Sequence, residues 1–181
     1  GGAAPLVFIN SDFESDLPGP MDGAFSYSSD AYAGSRSIAF VTNYPDAGSV
    51  STRTYNLSGT NLMYANGTAQ YITFYFKGTV SGSNPGLRFQ VAAGGTVANY
   101  YDINSIVSGT TLTVTPTTGG TFPTTTINVT NWTKVRLDLT GVDWGGQSIT
   151  FYPLRFRARQ QNAAAAVDTA HNWVIDDVRF E

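Results

Sequence analysis

Apolar and polar residues alternate along much of this chain with a period of two, which is typical of β-strands and not of helices. The clearest stretch runs from Gln70 to Lys77. Its residues Ile72, Phe74 and Phe76 share one face, while polar and tyrosine residues share the other. Successive side chains of a strand point to opposite faces, so the pattern predicts a strand with one buried face. A second such strand from Gly86 to Ala92 follows closely, and the two together predict a hairpin.

Similar stretches elsewhere bring the prediction to about ten short strands. They include Leu6 to Ile9, Ser37 to Val41, Val50 to Leu57 at a sheet edge, Thr124 to Val129, Trp132 to Thr140, Ser148 to Gln160 and Asn172 to Glu181. Segments rich in Gly, Pro, Ser and Asn separate them, as expected of turns, and a single helical turn is expected at 163–166. We therefore predict an all-β fold, an antiparallel β-sandwich of the jelly-roll type, forming one domain over residues 1–181.

Composition supports this interpretation and excludes several functions. Charged residues make up 13% of the chain and the net charge is −3, so we expect no basic surface for nucleic acid. Cysteine is absent, which excludes disulfides, thiolate metal ligands and a cysteine nucleophile. No apolar run reaches the length of about 18 residues that a membrane span needs. The start of the sequence, Gly1 to Pro5, does not have the pattern of a signal peptide.

Patterns of catalytic residues are also missing. Glycoside hydrolysis generally needs two carboxylates facing each other across the bond, but the only glutamates are Glu14 and Glu181. No aspartate pair lies in a recognisable catalytic pattern. His171 is the single histidine, expected in a loop, and no Gly-x-Ser-x-Gly nucleophile motif accompanies it. We therefore predict that the protein is not an enzyme.

Two acidic residues near the ends of the chain suggest a metal site. Glu14 follows the first predicted strand, and Asp176 lies on the last one in the same alternating phase as Val174, Val178 and Phe180. A carboxylate in phase with core residues is costly unless a hydrogen-bonding partner or an ion accompanies it. If the first and last strands lie together, Glu14 and Asp176 can share one hard cation with backbone carbonyls. The alternative is that both carboxylates cap turns or pair with arginines.

Three short motifs carry a resemblance to a known family. They are Phe13-Glu14 near the start, Gly-Ser-x-Ser-Ile-Ala at 34–39 and Ile-Asp-Asp-Val at 175–178. In this order and spacing they resemble the jelly-roll carbohydrate-binding modules appended to bacterial polysaccharide-degrading enzymes, a group of galactose-binding-like β-sandwiches. The resemblance implies a non-catalytic domain that binds a polysaccharide. It also implies that the domain belongs to a larger secreted or cell-surface protein.

The same resemblance implies one structural calcium ion near the chain ends. Its ligands would come from Glu14, Asp176 and carbonyl groups near Asp12 and Ser35 or Arg36. Asp177, which is opposite in phase to Asp176, would replace it if the last strand contains a bulge.

Aromatic residues on outward strand positions are the candidates for binding a glycan. Sugar rings pack their C–H faces on flat Tyr and Trp side chains, while polar side chains hold the hydroxyl groups. If their strands share a sheet, the predicted set is Tyr71, Tyr75, Arg88, Gln90, Trp132, Arg136 and Asp138. Trp144, in a glycine-bounded loop, is a further exposed candidate. The alternative for each aromatic residue is packing, with Trp132 in the core and Trp144 closing one end of the fold.

Two other interpretations stay open. Arg155, Arg157 and Arg159 alternate on one face of a strand, which would suit the carboxylates or sulfates of an acidic polysaccharide or form an ordinary solvated face. The low charge and the many Thr, Ser and Gly residues equally fit a structural or adhesion domain, such as a virion decoration protein or part of a cell-surface adhesin. Closed assemblies that do not bind glycan would favour this second class of protein.

Overall fold

The computed structural model describes residue 8 and residues 10–17, 25–44, 54–56, 62–64, 69–83, 85–93, 97–146, 152–160 and 169–181. In these ranges the chain forms eleven strands and no helix. The described residues therefore contain no helix that is long and apolar enough to cross a membrane. The strands are β1 (Phe25–Ser28), β2 (Ser37–Tyr44), β3 (Thr54–Asn56), β4 (Leu62–Tyr64), β5 (Tyr71–Gly82), β6 (Leu87–Ala93), β7 (Val97–Asp102), β8 (Leu112–Val114), β9 (Ile127–Asp138), β10 (Tyr152–Gln160) and β11 (Thr169–Phe180). The all-β prediction therefore holds for the described part of the chain, and the expected helical turn at 163–166 lies outside it.

The described strands form two sheets. One has six strands in the order β1-β2-β11-β5-β9-β8, and the other has the order β3-β10-β6-β7 with β4 also paired to β10. Neighbouring strands are antiparallel, except that β8 runs parallel to β9. Four sets of pairs are nested along the chain: β6 with β7, β5 with β9, β3 and β4 with β10, and β2 with β11. This nesting places segments from opposite ends of the sequence side by side.

Large apolar side chains from both sheets meet in one core. Phe74 and Trp173 of the six-stranded sheet contact Phe89 of the other sheet, with ring centroids 4.7 Å and 6.1 Å apart, respectively. All three side chains are fully buried. Burying an aromatic side chain of this size stabilises a fold by about 2 kcal/mol, so these contacts hold the two sheets against each other.

The connections between strands differ from the sequence-based prediction in two places. β5 and β6 do not form the predicted hairpin, because they belong to different sheets. The strands predicted at Thr124 to Val129 and Trp132 to Thr140 are one long strand, β9, with a register shift between Phe76 and Gly78 of its partner β5. Both errors have one origin: alternation identifies a strand and its buried face but does not identify the partner strand.

A β-bulge in β11 changes which residues share a face. The register with β5 shifts between Asp176 and Arg179, and Asp177 has a positive φ of 53°. Before the bulge the core face carries Trp173 and Ile175, so Asp176 faces the opposite side. The prediction that Asp176 shares a face with Val178 and the core is therefore wrong. The extra residue of the bulge returns Val178 to the core side.

Candidate functional site

The loop between β1 and β2, called here the 29–36 loop, lies over the outer side of the six-stranded sheet. The backbone N–H groups of Tyr32 and Ala33 donate to Asp176 Oδ2 of β11 at 2.9 and 3.1 Å. Asp30 of the same loop forms an ion pair with Lys77 of β5, with Nζ and Oδ1 2.7 Å apart. The loop thus contacts both of the candidate sites, a group of carboxylates and a group of aromatic rings.

The N-terminal segment at 10–17 runs beside the last strand. Val178 donates its backbone N–H to the carbonyl oxygen of Ser11 at 3.0 Å, and the Ser11 hydroxyl donates to the carbonyl oxygen of Val178 at 2.6 Å. Phe8 stacks on Phe180 with ring centroids 4.5 Å apart. The described N-terminal segment and the last strand therefore lie side by side, which meets the condition set for a site shared by Glu14 and Asp176. Of the predicted strand at 6–9, the structure describes Phe8 alone.

Glu14 binds the 29–36 loop. Its Oε1 accepts the backbone N–H groups of Ser35 and Arg36 at 2.8 and 3.2 Å, and its Oε2 accepts the Ser35 hydroxyl at 2.8 Å. These hydrogen bonds, that of the Ser35 hydroxyl first, lower the pKa of Glu14. Gly34 precedes them with a φ of +68°, and a Cβ at this position would collide with the Glu14 carboxylate. Ser35 therefore contributes its N–H and hydroxyl to Glu14, whereas a carbonyl ligand had been expected there.

Asp176 is fully buried beneath the same loop. In addition to the two N–H groups on Oδ2, its Oδ1 accepts the backbone N–H of Asp177 at 2.7 Å. Burial raises the pKa of Asp176, and the three N–H donors oppose that rise. The main chain therefore supplies the hydrogen-bonding partners that a carboxylate at this position needs.

Glu14 and Asp176 line one cavity of about 230 Å³, here called the carboxylate cavity, together with Asp12, Ala33, Gly34, Asp177 and Arg179. The lining thus carries four carboxylates and one guanidinium group. The guanidinium group, that of Arg179, is paired with one of the carboxylates, with Nε 2.8 Å from Asp177 Oδ1. Oxygen donors of this kind suit a hard cation such as calcium. Within the described ranges, however, no three Asp, Glu or His side chains are grouped so that they could hold one metal ion. Asp12 accepts the backbone N–H of Glu14 at 3.2 Å and so caps the turn.

The outer side of the six-stranded sheet carries a cluster of rings, the aromatic face, formed by Tyr32, Tyr71, Tyr75 and Trp132. Tyr32 stacks on Tyr75, with centroids 3.5 Å apart and planes inclined by 13°. Trp132 meets Tyr32 edge-on at 6.1 Å. Tyr32 is 44% exposed. Because one face of its ring lies on Tyr75, the exposed area belongs to the opposite face and the edges.

The pKa of Tyr75 is raised to about 12, first by hydrogen bonding to the side chain of Tyr32 and then by partial burial. Tyr32 and Tyr75 therefore interact through their hydroxyl groups as well as through their stacked rings.

Two cationic side chains lie against the other rings of the aromatic face. Lys77 Nζ is 5.0 Å from the Trp132 ring centroid, and the Arg136 guanidinium is 4.6 Å from that of Tyr71. Arg136 also donates through Nε and Nη2 to Thr113 Oγ1 at 3.0 and 2.8 Å. β5 and β9 are neighbours in the six-stranded sheet, so the condition set for Tyr71, Tyr75, Trp132, Arg136 and Asp138 is met. Trp132 lies on the outer side of the sheet and not in the core.

Arg88 and Gln90 do not belong to this surface. They lie on β6 in the other sheet and are only 5% and 6% exposed. The Arg88 guanidinium forms two hydrogen bonds with Asp102, at 2.6 and 3.1 Å, and lies over the rings of Tyr100 and Phe122. The prediction that both residues face solvent beside Tyr75 is therefore wrong, because other side chains cover the outer side of β6.

Trp144 lies in the predicted loop but not as an exposed platform, and His171 lies in a strand where a loop was predicted. Trp144 is half-buried and packs against the core, so the packing alternative holds and it is not an open platform. His171 lies in β11, not in a loop, and is 1% exposed. Its Nδ1 accepts the indole N–H of Trp173 at 3.1 Å. The side chains of Arg155, Arg157 and Arg159 lie outside what the structure describes.

Tyr32 is the member of the aromatic face that sequence reasoning missed. It lies in a segment rich in Ser, Asp and Gly, where alternation gives no indication of what a side chain contacts. Its partners Tyr75 and Asp176 are distant in sequence, and only the packing of the 29–36 loop on the sheet brings them together. A tyrosine isolated in a polar loop is at most a weak sign of a binding residue.

A comparison of the chain with protein-family models and with curated protein sequences found no match. The geometry of the two sites and the three sequence motifs are therefore the observations on which a function can be based.

Proposed function

We propose that this protein is a non-catalytic carbohydrate-binding module that binds a polysaccharide on its aromatic face. The observation that carries the proposal is the half-exposed Tyr32 ring, which is fixed on Tyr75 and flanked by Trp132. A flat, fixed and partly exposed ring offers the C–H face of a sugar a surface without a large loss of side-chain entropy. Arg136 and Asp138 on the same side of the sheet supply polar groups for hydroxyls.

The finer fold assignment, a β-sandwich of jelly-roll topology, belongs to the same proposal. It is supported by the nested pairing of β6 with β7, β5 with β9, β3 and β4 with β10, and β2 with β11. Wrapping one long antiparallel hairpin around a core produces nesting of this kind and divides the pairs between two facing sheets.

The resemblance alone supports the wider setting. In this proposal the module is part of a larger secreted or cell-surface protein, where weak binding by one domain keeps its partner domains near a polymer through high effective concentration.

A structural calcium ion in the carboxylate cavity completes the proposal. Its support is the oxygen-rich lining with Glu14, Asp176 and Asp12, while the N–H groups that now satisfy Glu14 and Asp176 form the competing arrangement. An ion that binds the folded state alone adds about 3 kcal/mol at a hundredfold excess over Kd, which raises Tm by roughly 5 °C or more. Thermal unfolding with calcium, magnesium or chelator measures this. If calcium leaves Tm unchanged, or raises it equally in Glu14→Gln, the proposed ion site fails. The N–H groups would then be the sole partners of the Glu14 and Asp176 carboxylates.

Affinity electrophoresis through gels containing a panel of polysaccharides tests binding. We expect retardation by at least one polymer, and we expect Tyr32→Ala and Trp132→Ala each to weaken it about tenfold. Gly119→Ala is the control, because a Cβ at Gly119 meets open space and its loop pairs through Thr117 with Tyr100 of the other sheet. Equal retardation of all variants would move the binding site elsewhere.

The same experiment separates this function from the structural or adhesion alternative. If no polymer retards the protein and sedimentation shows closed oligomers, the carbohydrate-binding proposal fails and the structural class of protein replaces it.

A further inference from the structure

We infer that the aromatic face accepts uncharged glycan chains and rejects polyanionic ones, an inference that rests on the proposed function and specifies its ligand class. The reasoning concerns which charged groups on this surface remain available to a ligand. A carboxylate or sulfate on a sugar is bound well when an arginine or lysine can turn its donors to it.

The lysines of the aromatic face are already paired with carboxylates of the protein. Lys77 Nζ lies 2.7 Å from Asp30 Oδ1, and Lys134 Nζ lies 2.8 Å from Glu181 Oε2. Both lysine side chains are about three-quarters covered, with exposures of 25% and 27%. A ligand anion that bound either ammonium group would displace the protein carboxylate or lie close beside it.

The arginines of this surface are engaged as well. Arg179 is 68% exposed, but its Nε is paired with Asp177 Oδ1 at 2.8 Å, so an anion at its remaining donors would lie beside that carboxylate. Arg136 directs Nε and Nη2 to Thr113 and stacks on the Tyr71 ring. In the described part of the chain the same holds away from the face, where Arg36 is paired with Asp16 and Arg88 with Asp102.

Among the residues that the structure describes, carboxylates outnumber cations on this side of the six-stranded sheet. Lys77, Lys134 and Arg179 are paired with Asp30, Glu181 and Asp177, respectively, and Arg136 is bound to Thr113. Asp138 and Asp176 accept N–H and hydroxyl donors instead. A ligand anion that displaced Asp30 from Lys77 would leave that carboxylate a few ångströms away. One such like-charge contact is enough to weaken binding about tenfold.

Uncharged ligands meet none of these costs. Their hydroxyls can donate to the carboxylates and accept from the lysines without breaking an ion pair, and their C–H faces can pack on Tyr32. The surface is therefore complementary to a neutral sugar chain in both its polar and its apolar parts.

Affinity electrophoresis with matched polymers tests the inference. The probes are hydroxyethyl cellulose with carboxymethyl cellulose, dextran with dextran sulfate, and agarose with carrageenan, each pair sharing a similar backbone. We expect retardation by at least one neutral polymer and at least tenfold weaker retardation by its charged counterpart. In the Asp30→Asn/Glu181→Gln double variant, which releases Lys77 and Lys134, this difference should shrink.

A matched control separates local from global charge. The control is Asp143→Asn, compared with Glu181→Gln. Both substitutions remove one negative charge, but Asp143 lies in a loop that is bound to Asn99 of the other sheet. Equal or stronger retardation by the charged polymers overturns the inference and leaves carbohydrate binding intact. Equal gains in Asp143→Asn and Glu181→Gln also overturn it, because net charge would then explain the preference. If no polymer of either kind binds, the proposed function fails and the inference with it.

Discussion

The buried histidine of β11 makes the stability of this protein dependent on pH. His171 Nδ1 accepts the indole N–H of Trp173, so the neutral ring carries its proton on Nε2, which has no hydrogen-bonding partner among the described residues. The Phe40 ring meets the imidazole edge-on at 5.2 Å. Protonation would place a charge in this apolar setting and would also remove the acceptor of the Trp173 bond. Burial accordingly lowers the pKa of His171 from 6.5 to about 4.

The sign and size of the effect follow from proton linkage. The unfolded chain binds a proton near the ordinary pKa of 6.5 and the folded chain only near 4, so acidification favours unfolding. The contribution of His171 to stability is complete above the unfolded pKa and is lost as the pH falls from there towards 4. Between about pH 7 and about pH 5 the free energy of unfolding should fall by about 2 kcal/mol. The raised pKa of Asp176 acts in the opposite direction, but it is common to the wild type and to a variant at position 171.

Urea unfolding across this pH range, in the wild type and in His171→Asn, measures the contribution. The Asn side chain offers an oxygen near the position of Nδ1 and cannot titrate, so the variant should lose most of the slope with pH whatever its stability at neutral pH. His171 is the only histidine in the chain, so NMR of the wild type gives its folded-state midpoint directly. Parallel pH profiles for the two proteins, or an NMR midpoint near 6.5, would refute the reasoning.

Two further predictions concern the six-stranded sheet. Gly78 has a φ of +134°, and a Cβ there would collide with the backbone of Asn172 and Trp173, so Gly78→Ala should cost about 2 kcal/mol or more in urea unfolding. Gly119→Ala, where a Cβ meets open space, should change stability by less than about 0.5 kcal/mol, and equal effects would contradict the steric explanation. Tyr32→Phe removes the hydrogen bond to Tyr75, so the pKa of Tyr75 should fall from about 12 towards 10 in NMR of ring-labelled tyrosine. An unchanged midpoint would show that the bond does not set this pKa.

Alternation predicted the parts of the fold that depend on neighbouring residues in sequence. Ile72, Phe74 and Phe76 are buried, because a strand that faces a core on one side must place an apolar residue at every second position. The pairing of β5 with β6 was predicted wrongly, since that depends on contacts far apart in sequence. Asp176 shows a second limit. One extra residue in the bulge reverses the phase of β11, and nothing in the apolar pattern marks its position.

The candidate site shows that the side of a sheet on which a residue lies can be predicted more easily than the side chains that pack over it. Arg88 and Tyr75 both alternate with buried aromatic residues, yet Arg88 is sealed by Tyr100 and Phe122 while Tyr75 lies beneath Tyr32. In both places a loop folds back over a sheet, bringing Phe122 onto Arg88 and Tyr32 onto Tyr75, and the neighbouring strand β7 adds Tyr100 over Arg88. The sequence pattern within a strand contains no information about such loops, because their own residues are polar and irregular.

The 29–36 loop therefore matters more than its sequence suggests. Its main chain satisfies the carboxylates of Glu14 and Asp176, and its tyrosine side chain builds the aromatic face. A buried, unpartnered Asp176 would cost several kcal/mol, so the loop must be in place whenever the protein is folded. The same requirement fixes Tyr32 on Tyr75 before any ligand arrives. The residues that stabilise the two joined chain ends thus also preorganise the surface proposed to bind glycan.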